Sequence, residues 1–142
     1  MIISIIIPCY NEKSTIEKII HKIIEQRKLN KQIILIDDHS NDGTTEIIKE
    51  KLSNNLIDKI IFHEKNLGKG AAIKSGIPYV NGDIIIIQDA DLEYDPNDYK
   101  ELIKPFEDKD INVVYGSRVL NKRRFSVKFG IAKNFRAFSN FA

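Results

Sequence analysis

The tripeptide Asp89-Ala90-Asp91 follows the run Ile84-Ile85-Ile86-Ile87, so a strongly apolar segment delivers two carboxylates as it leaves a core. Two carboxylates so placed suit a hard divalent cation. Mg2+ and Mn2+ take oxygen ligands, and Mg2+ typically combines one or two carboxylates with the phosphates of a substrate. The plain alternative is a solvated turn before a helix capped by Asp95 or Asp98. A second acidic pair, Asp37-Asp38, follows the apolar run 32–36. The next residues, Ser40 to Gly43, read as a turn with Asp42 capping a helix from Thr44. That turn does not account for two carboxylates at the end of a strand. One of them could accept hydrogen bonds from a base or ribose; Asp38 is assigned to ribose or metal and Asp37 to the base, with the reverse order open. Asn66-Leu67-Gly68-Lys69-Gly70 is glycine-rich ahead of a helix, and Lys69 and Lys74 are placed to reach a phosphate or base. Helix capping explains that loop equally well, and it is neither a Walker loop nor G-x-G-x-x-G. His21, His39 and His63 share no zinc-ligand spacing, and no G-x-S-x-G or Cys–His pattern points to nucleophilic hydrolysis.

Such residues need a frame. β-branched runs at 2–7, 32–36, 59–63, 83–88 and 112–115 read as strands. Helical patterns at 12–27, 44–52, 69–78 and 96–106 separate them, the first capped by Asn11 or Ser14. Strands alternating with helical crossovers define an α/β fold with a mostly parallel sheet covered on both faces. Ligands bind such sheets outside the carboxyl ends of the strands, and Glu12, Asp37, Asp38, Asp89, Asp91 and Glu93 all fall at that edge. Like charges repel and desolvate badly without a compensating cation or donor-rich ligand.

The chain has 142 residues, enough for a core that buries roughly 68–70% of the unfolded surface. Its one cysteine, Cys9, reads as a small buried hydrophobe and fits a reducing compartment. No apolar run approaches the ~20 residues needed to span a bilayer, and no signal peptide opens the chain, so a cytoplasmic location is expected. Net charge is +2, yet every acidic residue precedes Asn121. Lys122, Arg123, Arg124, Lys128, Lys133 and Arg136 follow, set among Phe125, Phe129, Phe135, Phe138 and Phe141. Residues 1–120 therefore read as the core and 121–142 as a basic tail for an anionic partner, a lipid phosphate or a peripheral membrane surface. An ordinary helix whose partner lies elsewhere is the competing reading. No nucleic-acid partner is expected.

Pro8-Cys9-Tyr10-Asn11-Glu12, Asp37 to Thr44, Asn66 to Gly70, Asp89-Ala90-Asp91-Leu92-Glu93 and Gly116-Ser117-Arg118 together resemble, in order and spacing, the inverting family 2 glycosyltransferases of GT-A fold. The nearest likeness is to polyprenyl-phosphate (dolichyl-phosphate) mannosyl- or glucosyltransferases. The resemblance implies a nucleoside-diphosphate sugar donor, GDP- or UDP-linked. It places Pro8, Tyr10 and Glu12 in the nucleotide pocket with Asp38 near ribose or base. It makes Asp89 and Asp91 the D-x-D pair, with Ala90 among the donor contacts, and has Asp91 and position 93 hold Mg2+ or Mn2+. Glu93 replaces a frequent Gln and adds negative charge. Arg118 is implied near the acceptor phosphate or donor diphosphate. Members of the family continue past the fifth strand into an acceptor-side half, so donor binding is expected more firmly than turnover. A sugar-phosphate nucleotidylyltransferase would require an early Gly-rich, Arg-bearing loop that residues 8–12 lack. A receiver-like domain would require acids after the first strand instead of a D-x-D after the fourth.

Overall fold

The computed structural model describes residues 1–52, 56–115 and 130–132. Six strands form one sheet: β1 (Ile3–Cys9), β2 (Lys31–Asp37), β3 (Lys59–Phe62), β4 (Ile84–Ile87), β5 (Val113–Tyr115) and β6 (Gly130–Ala132). Their order is β3-β2-β1-β4-β6-β5. The first four are mutually parallel, with Ile5 beside Ile33 and Ile86.

Successive side chains on a strand face opposite ways, and the isoleucine runs feed both faces. Ile3, Ile5, Ile7, Ile33, Leu35, Ile84 and Ile86 pack on one side. There they meet α1 (Ile16–Ile24), α2 (Thr44–Ile47, continued by a π-turn over Ile48–Leu52) and α4 (Tyr99–Ile103). Ile6, Ile34, Ile36 and Ile85 face the other side, against Ala72 of α3 (Lys69–Gly76). A parallel sheet buried on both faces has no reason to alternate in polarity, which is why these strands read as continuous apolar runs. On α1, Ile16, Ile19, Ile20 and Ile23 are fully buried, and each such burial contributes roughly 1.5–3 kcal/mol.

The helices are shorter than their apolar patterns. α1 begins at Ile16, not at residue 12, because residues 11–15 form a turn in which the carbonyl of Glu12 accepts from the N–H groups of Thr15 and Ile16. Neither Asn11 nor Ser14 caps it; Thr15 occupies that position without a side-chain capping bond. Asn11 is left-handed at φ 55° and instead ties two loops together: its Oδ1 accepts from Asn41 N–H at 2.9 Å. Asp42 closes its turn through Oδ1, which accepts from Thr44 N–H at 3.0 Å, while Gly43 stands at the head of α2.

The sheet is not wholly parallel, and it has a strand absent from the sequence reading. β6 runs antiparallel between β4 and β5, pairing Ile85 with Ala132 and Val114 with Ile131. Gly130-Ile131-Ala132 is too short to show a period of two, and it lies within the stretch read as a separate tail. Among the described residues no helix is long and apolar enough to cross a membrane.

Candidate functional site

β1, β2 and β4 end on the same edge of the sheet, and parallel pairing aligns Cys9 with Asp37. The loops beyond them surround a pocket of about 420 Å³. Eight of the residues expected in a site line it: Pro8, Tyr10, Glu12, Asp38, Lys69, Asp89, Ala90 and Asp91. Cys9, Asn66, Gly68 and Ala72 complete the wall.

The first two loops are zipped by backbone donors. Asn11 N–H donates to Ser40 Oγ at 2.9 Å, Glu12 N–H to Thr44 Oγ1 at 2.9 Å, and Lys13 N–H to Asp42 Oδ2 at 3.2 Å. Asp38 is buried and its carboxylate holds three partners. Oδ1 accepts from Leu67 N–H at 2.9 Å and lies 2.7 Å from His63 Nδ1, while Oδ2 accepts from Gly68 N–H at 2.7 Å. Burial by itself would raise its carboxyl pKa; the bonds from Leu67, His63 and Gly68 outweigh that and hold it below the ordinary carboxylate range. Burial, reinforced by the charges of Asp37, Glu12 and Asp42, pushes the Cys9 thiol far up, so Cys9 is an inert part of the floor.

Beyond β4 a buried amide shapes the acidic loop. Gln88 is fully buried; Tyr99 Oη donates to its Oε1 at 2.6 Å, and its Nε2 donates to the carbonyls of Asp89 at 3.0 Å and Tyr94 at 3.2 Å. Asp89 thus leaves the strand with its carbonyl pinned and its side chain 21% exposed. Lys69 Nζ lies 2.5 Å from Asp89 Oδ1, which puts a cation on the carboxylate that the sequence assigns to a metal. Asp91 is exposed, and its Oδ1 accepts from Glu93 N–H at 3.0 Å.

Three expected residues do not line the pocket. Asp37 is the buried last residue of β2, and its side chain serves the turn that follows, accepting from Ser40 N–H at 3.1 Å and from the Thr45 hydroxyl. Lys74 is exposed outside the pocket, because five residues along α3 rotate it about 140° away from Lys69. Glu93 follows Leu92, which is left-handed at φ 65°, and is not among the residues that line the pocket. Among the described residues no three His, Cys, Asp or Glu side chains converge to cage an ion. The donor set still fits Mg2+ or Mn2+ at a site completed by phosphate and water, since such ions need only one or two protein carboxylates. Arg118 lies outside the described residues.

Sequence reasoning missed two organisers, His63 and Gln88. Both follow a strand directly, so the rule that singled out the acids could also have flagged them. Nothing in their spacing reveals their partners.

A mostly parallel α/β sheet gathers acidic loops, a glycine-rich loop and a lysine at its carboxyl edge, the place where such sheets bind ligands. The sequence matches glycosyl transferase family 2 over residues 4–134; the chain belongs to that family. Among curated relatives it is 34% identical over 119 residues to the dolichol-phosphate mannosyltransferase of Pyrococcus furiosus, covering 83% of this chain and 33% of that protein. It is 32% identical over 109 residues to the undecaprenyl-phosphate 4-deoxy-4-formamido-L-arabinose transferase of Aeromonas hydrophila, covering 72% of this chain and 33% of that protein. The chain therefore spans about a third of the length of these relatives. The mannosyltransferase PcManGT from Pyrobaculum calidifontis, solved with GDP-Man and Mn2+, superposes with a TM-score of 0.76 at 20% identity, covering 92% of this chain and 44% of its own. The glucosyl-3-phosphoglycerate synthase of Mycobacterium tuberculosis, solved with Mn2+, UDP and phosphoglyceric acid, gives 0.64 at 25% identity, covering 80% of this chain and 42% of its own. The fold is that of the GT-A glycosyltransferases.

Proposed function

We propose that this chain is the donor-binding half of an inverting glycosyltransferase that moves a sugar from a GDP- or UDP-linked donor to a polyprenyl phosphate or related acceptor. The observation that carries the reading is the convergence of Asp89, Asp91, Lys69 and Asp38 on one pocket at the carboxyl edge of the sheet. The nucleotides in the complexes of the two structural neighbours, GDP-Man in one and UDP in the other, support it.

Asp89 and Asp91 would hold Mg2+ or Mn2+, which when bound supplies Lewis acidity to a departing diphosphate. Lys69 adds a second positive charge beside it, and Pro8, Tyr10 and Glu12 wall the nucleotide. In a single displacement the acceptor oxygen bonds to the anomeric carbon as the bond from that carbon to the diphosphate oxygen breaks, which inverts the centre. An acceptor phosphate is already anionic and needs no strong base. Arg118 is proposed to neutralise acceptor or diphosphate charge.

Calorimetric titration with GDP- and UDP-linked sugars, with and without Mn2+, tests the reading. One of the two nucleotides is expected to bind in a Mn2+-dependent manner, and Lys69→Met is expected to weaken it about tenfold by removing a charge-assisted contact. Absence of metal-dependent affinity for either nucleotide would overturn the assignment. The basic residues on either side of β6 within 121–142 are proposed to meet the anionic acceptor or a membrane surface. Sedimentation with anionic liposomes at low salt should carry the chain down, and a chain left in the supernatant sinks that part.

A further inference from the structure

Three elements of the chain, β2, β3 and α3, meet at His63, directly after β3. Its ring is packed between Asp38, beyond β2, and Ser75 of α3, with the side chains of His63 and Asp38 only 8% and 4% exposed. His63 Nδ1 lies 2.7 Å from Asp38 Oδ1, Nε2 lies 2.9 Å from Ser75 Oγ, and its backbone N–H donates to the Asp37 carbonyl at 2.9 Å. With Asp38 ionised, Nδ1 carries the proton it shares with that carboxylate, and in the neutral ring Nε2 accepts from the Ser75 hydroxyl. The ring is thus held at both ends, and it orients a carboxylate that in turn grips the N–H groups of Leu67 and Gly68.

That grip matters because the loop has little reason to hold its shape alone. Gly68 sits at φ 87° and ψ 160°, outside the regions other residues favour, and a glycine there leaves many backbone alternatives open. The next residue, Lys69, is the one that reaches Asp89. His63 itself does not line the pocket that Asp38, Gly68 and Lys69 share.

We propose that His63 is a positioning residue for the donor pocket: the chain Ser75–His63–Asp38 latches the Leu67–Gly68 backbone and thereby sets nucleotide affinity. This rests on the donor-binding reading above. The order Ser–His–Asp is that of a hydrolytic triad, but the carboxylate end engages loop N–H groups as well as the ring, so the arrangement transmits position and needs no proton transfer.

The test compares His63→Leu, His63→Asn and Ser75→Ala in the full chain. Amide hydrogen exchange is read at Leu67, Gly68, Ile5 and Ile6, alongside GDP and UDP affinity in Mn2+. In His63→Leu the Leu67 and Gly68 amides should exchange about tenfold faster, the size expected for losing a hydrogen bond to a charged group. Ile5 and Ile6 should be unmoved, and nucleotide affinity should fall about tenfold. His63→Asn, whose Nδ2 donor can take the place of Nδ1, should restore both to within about threefold of wild type. If His63→Leu does not fold, Ser75→Ala carries the test with a smaller change, about threefold, at the same two amides. Unchanged exchange at Leu67 and Gly68, an equal acceleration at Ile5 and Ile6, or faster exchange with undiminished affinity would each overturn the proposal. A wild-type chain that binds neither nucleotide overturns the donor reading and the proposal together, whereas intact wild-type binding with unchanged exchange overturns the latch alone.

Discussion

Replacing Asp89 and Asp91 together by asparagine is expected to erase the Mn2+-dependent part of nucleotide affinity, a loss of at least about 100-fold in GDP or UDP binding. Removing partners one layer out from a metal already costs about 10–100-fold in affinity, so loss of the carboxylates themselves belongs at or above that range. The fold should survive the change. Asp91 is exposed and Asp89 partly so, and an asparagine oxygen can still accept the Glu93 N–H that Asp91 now holds. Surface changes of that kind usually shift stability by no more than about 0.5 kcal/mol. Calorimetry with and without Mn2+, beside a melting curve, separates the two effects. A double variant that keeps the full Mn2+ enhancement would show that the acidic loop is only a turn. Asp89→Asn alone carries a second signature, because it leaves Lys69 without the carboxylate it now pairs with. Its nucleotide affinity without Mn2+ should hold steady or rise as that lysine is freed for phosphate.

Gly82→Ala is expected to destabilise the chain by about 3 kcal/mol, lowering the melting midpoint by roughly 10 °C. Gly82 sits before β4, where a Cβ would lie 2.7 Å from Ser4 Oγ, 2.8 Å from the Ile2 carbonyl and 2.8 Å from Ser4 N. Two of those three atoms are backbone, one in β1 and one just before it, so no side-chain rotation relieves the clash. Gly82 N–H also donates to Ser4 Oγ at 2.9 Å, and that hydroxyl donates to Gln32 Oε1 at 2.6 Å. The change therefore pries apart the starts of β1, β2 and β4 at once. Gly70→Ala is the control, since nothing lies within 4 Å of its added Cβ, and alanine in a helix is if anything favourable. Thermal melts followed by circular dichroism decide the matter; a Gly82→Ala midpoint within about 2 °C of wild type would refute the steric argument. Such a variant should also lose nucleotide affinity, because β4 carries Asp89 and is registered on β1 through bonds from Asp83 N–H to the Ile2 carbonyl and from Gln88 N–H to the Ile6 carbonyl.

Much of the site could be read before the fold was known, for a physical reason. Carboxylates are costly at the end of a buried strand, so Asp38, Asp89 and Asp91 stood out against the isoleucine runs before them. The parallel sheet was legible for the same reason, because strands buried on both faces cannot alternate in polarity. Helix ends were less legible, since the apolar spacing of residues 12–27 continues through a turn that Asn11 and Glu12 make for other purposes. β6 left almost no trace, because three residues cannot establish a period.

The sequence by itself determined the parallel strands, their isoleucine core, the family and the loops that carry the acids, because these depend on local pattern and on polar residues at strand ends. Tertiary structure decided which of those residues act together. It turned the Asp37 side chain to Ser40 and Thr45, and it left Lys74 and Glu93 outside the pocket. It set Lys69 against Asp89 and joined Asp38, His63 and Ser75, which are 25 and 12 residues apart, into one buried chain. Contacts at that separation follow from the order of strands in the sheet and the rotation of a helix about its axis, which no local pattern of residues encodes.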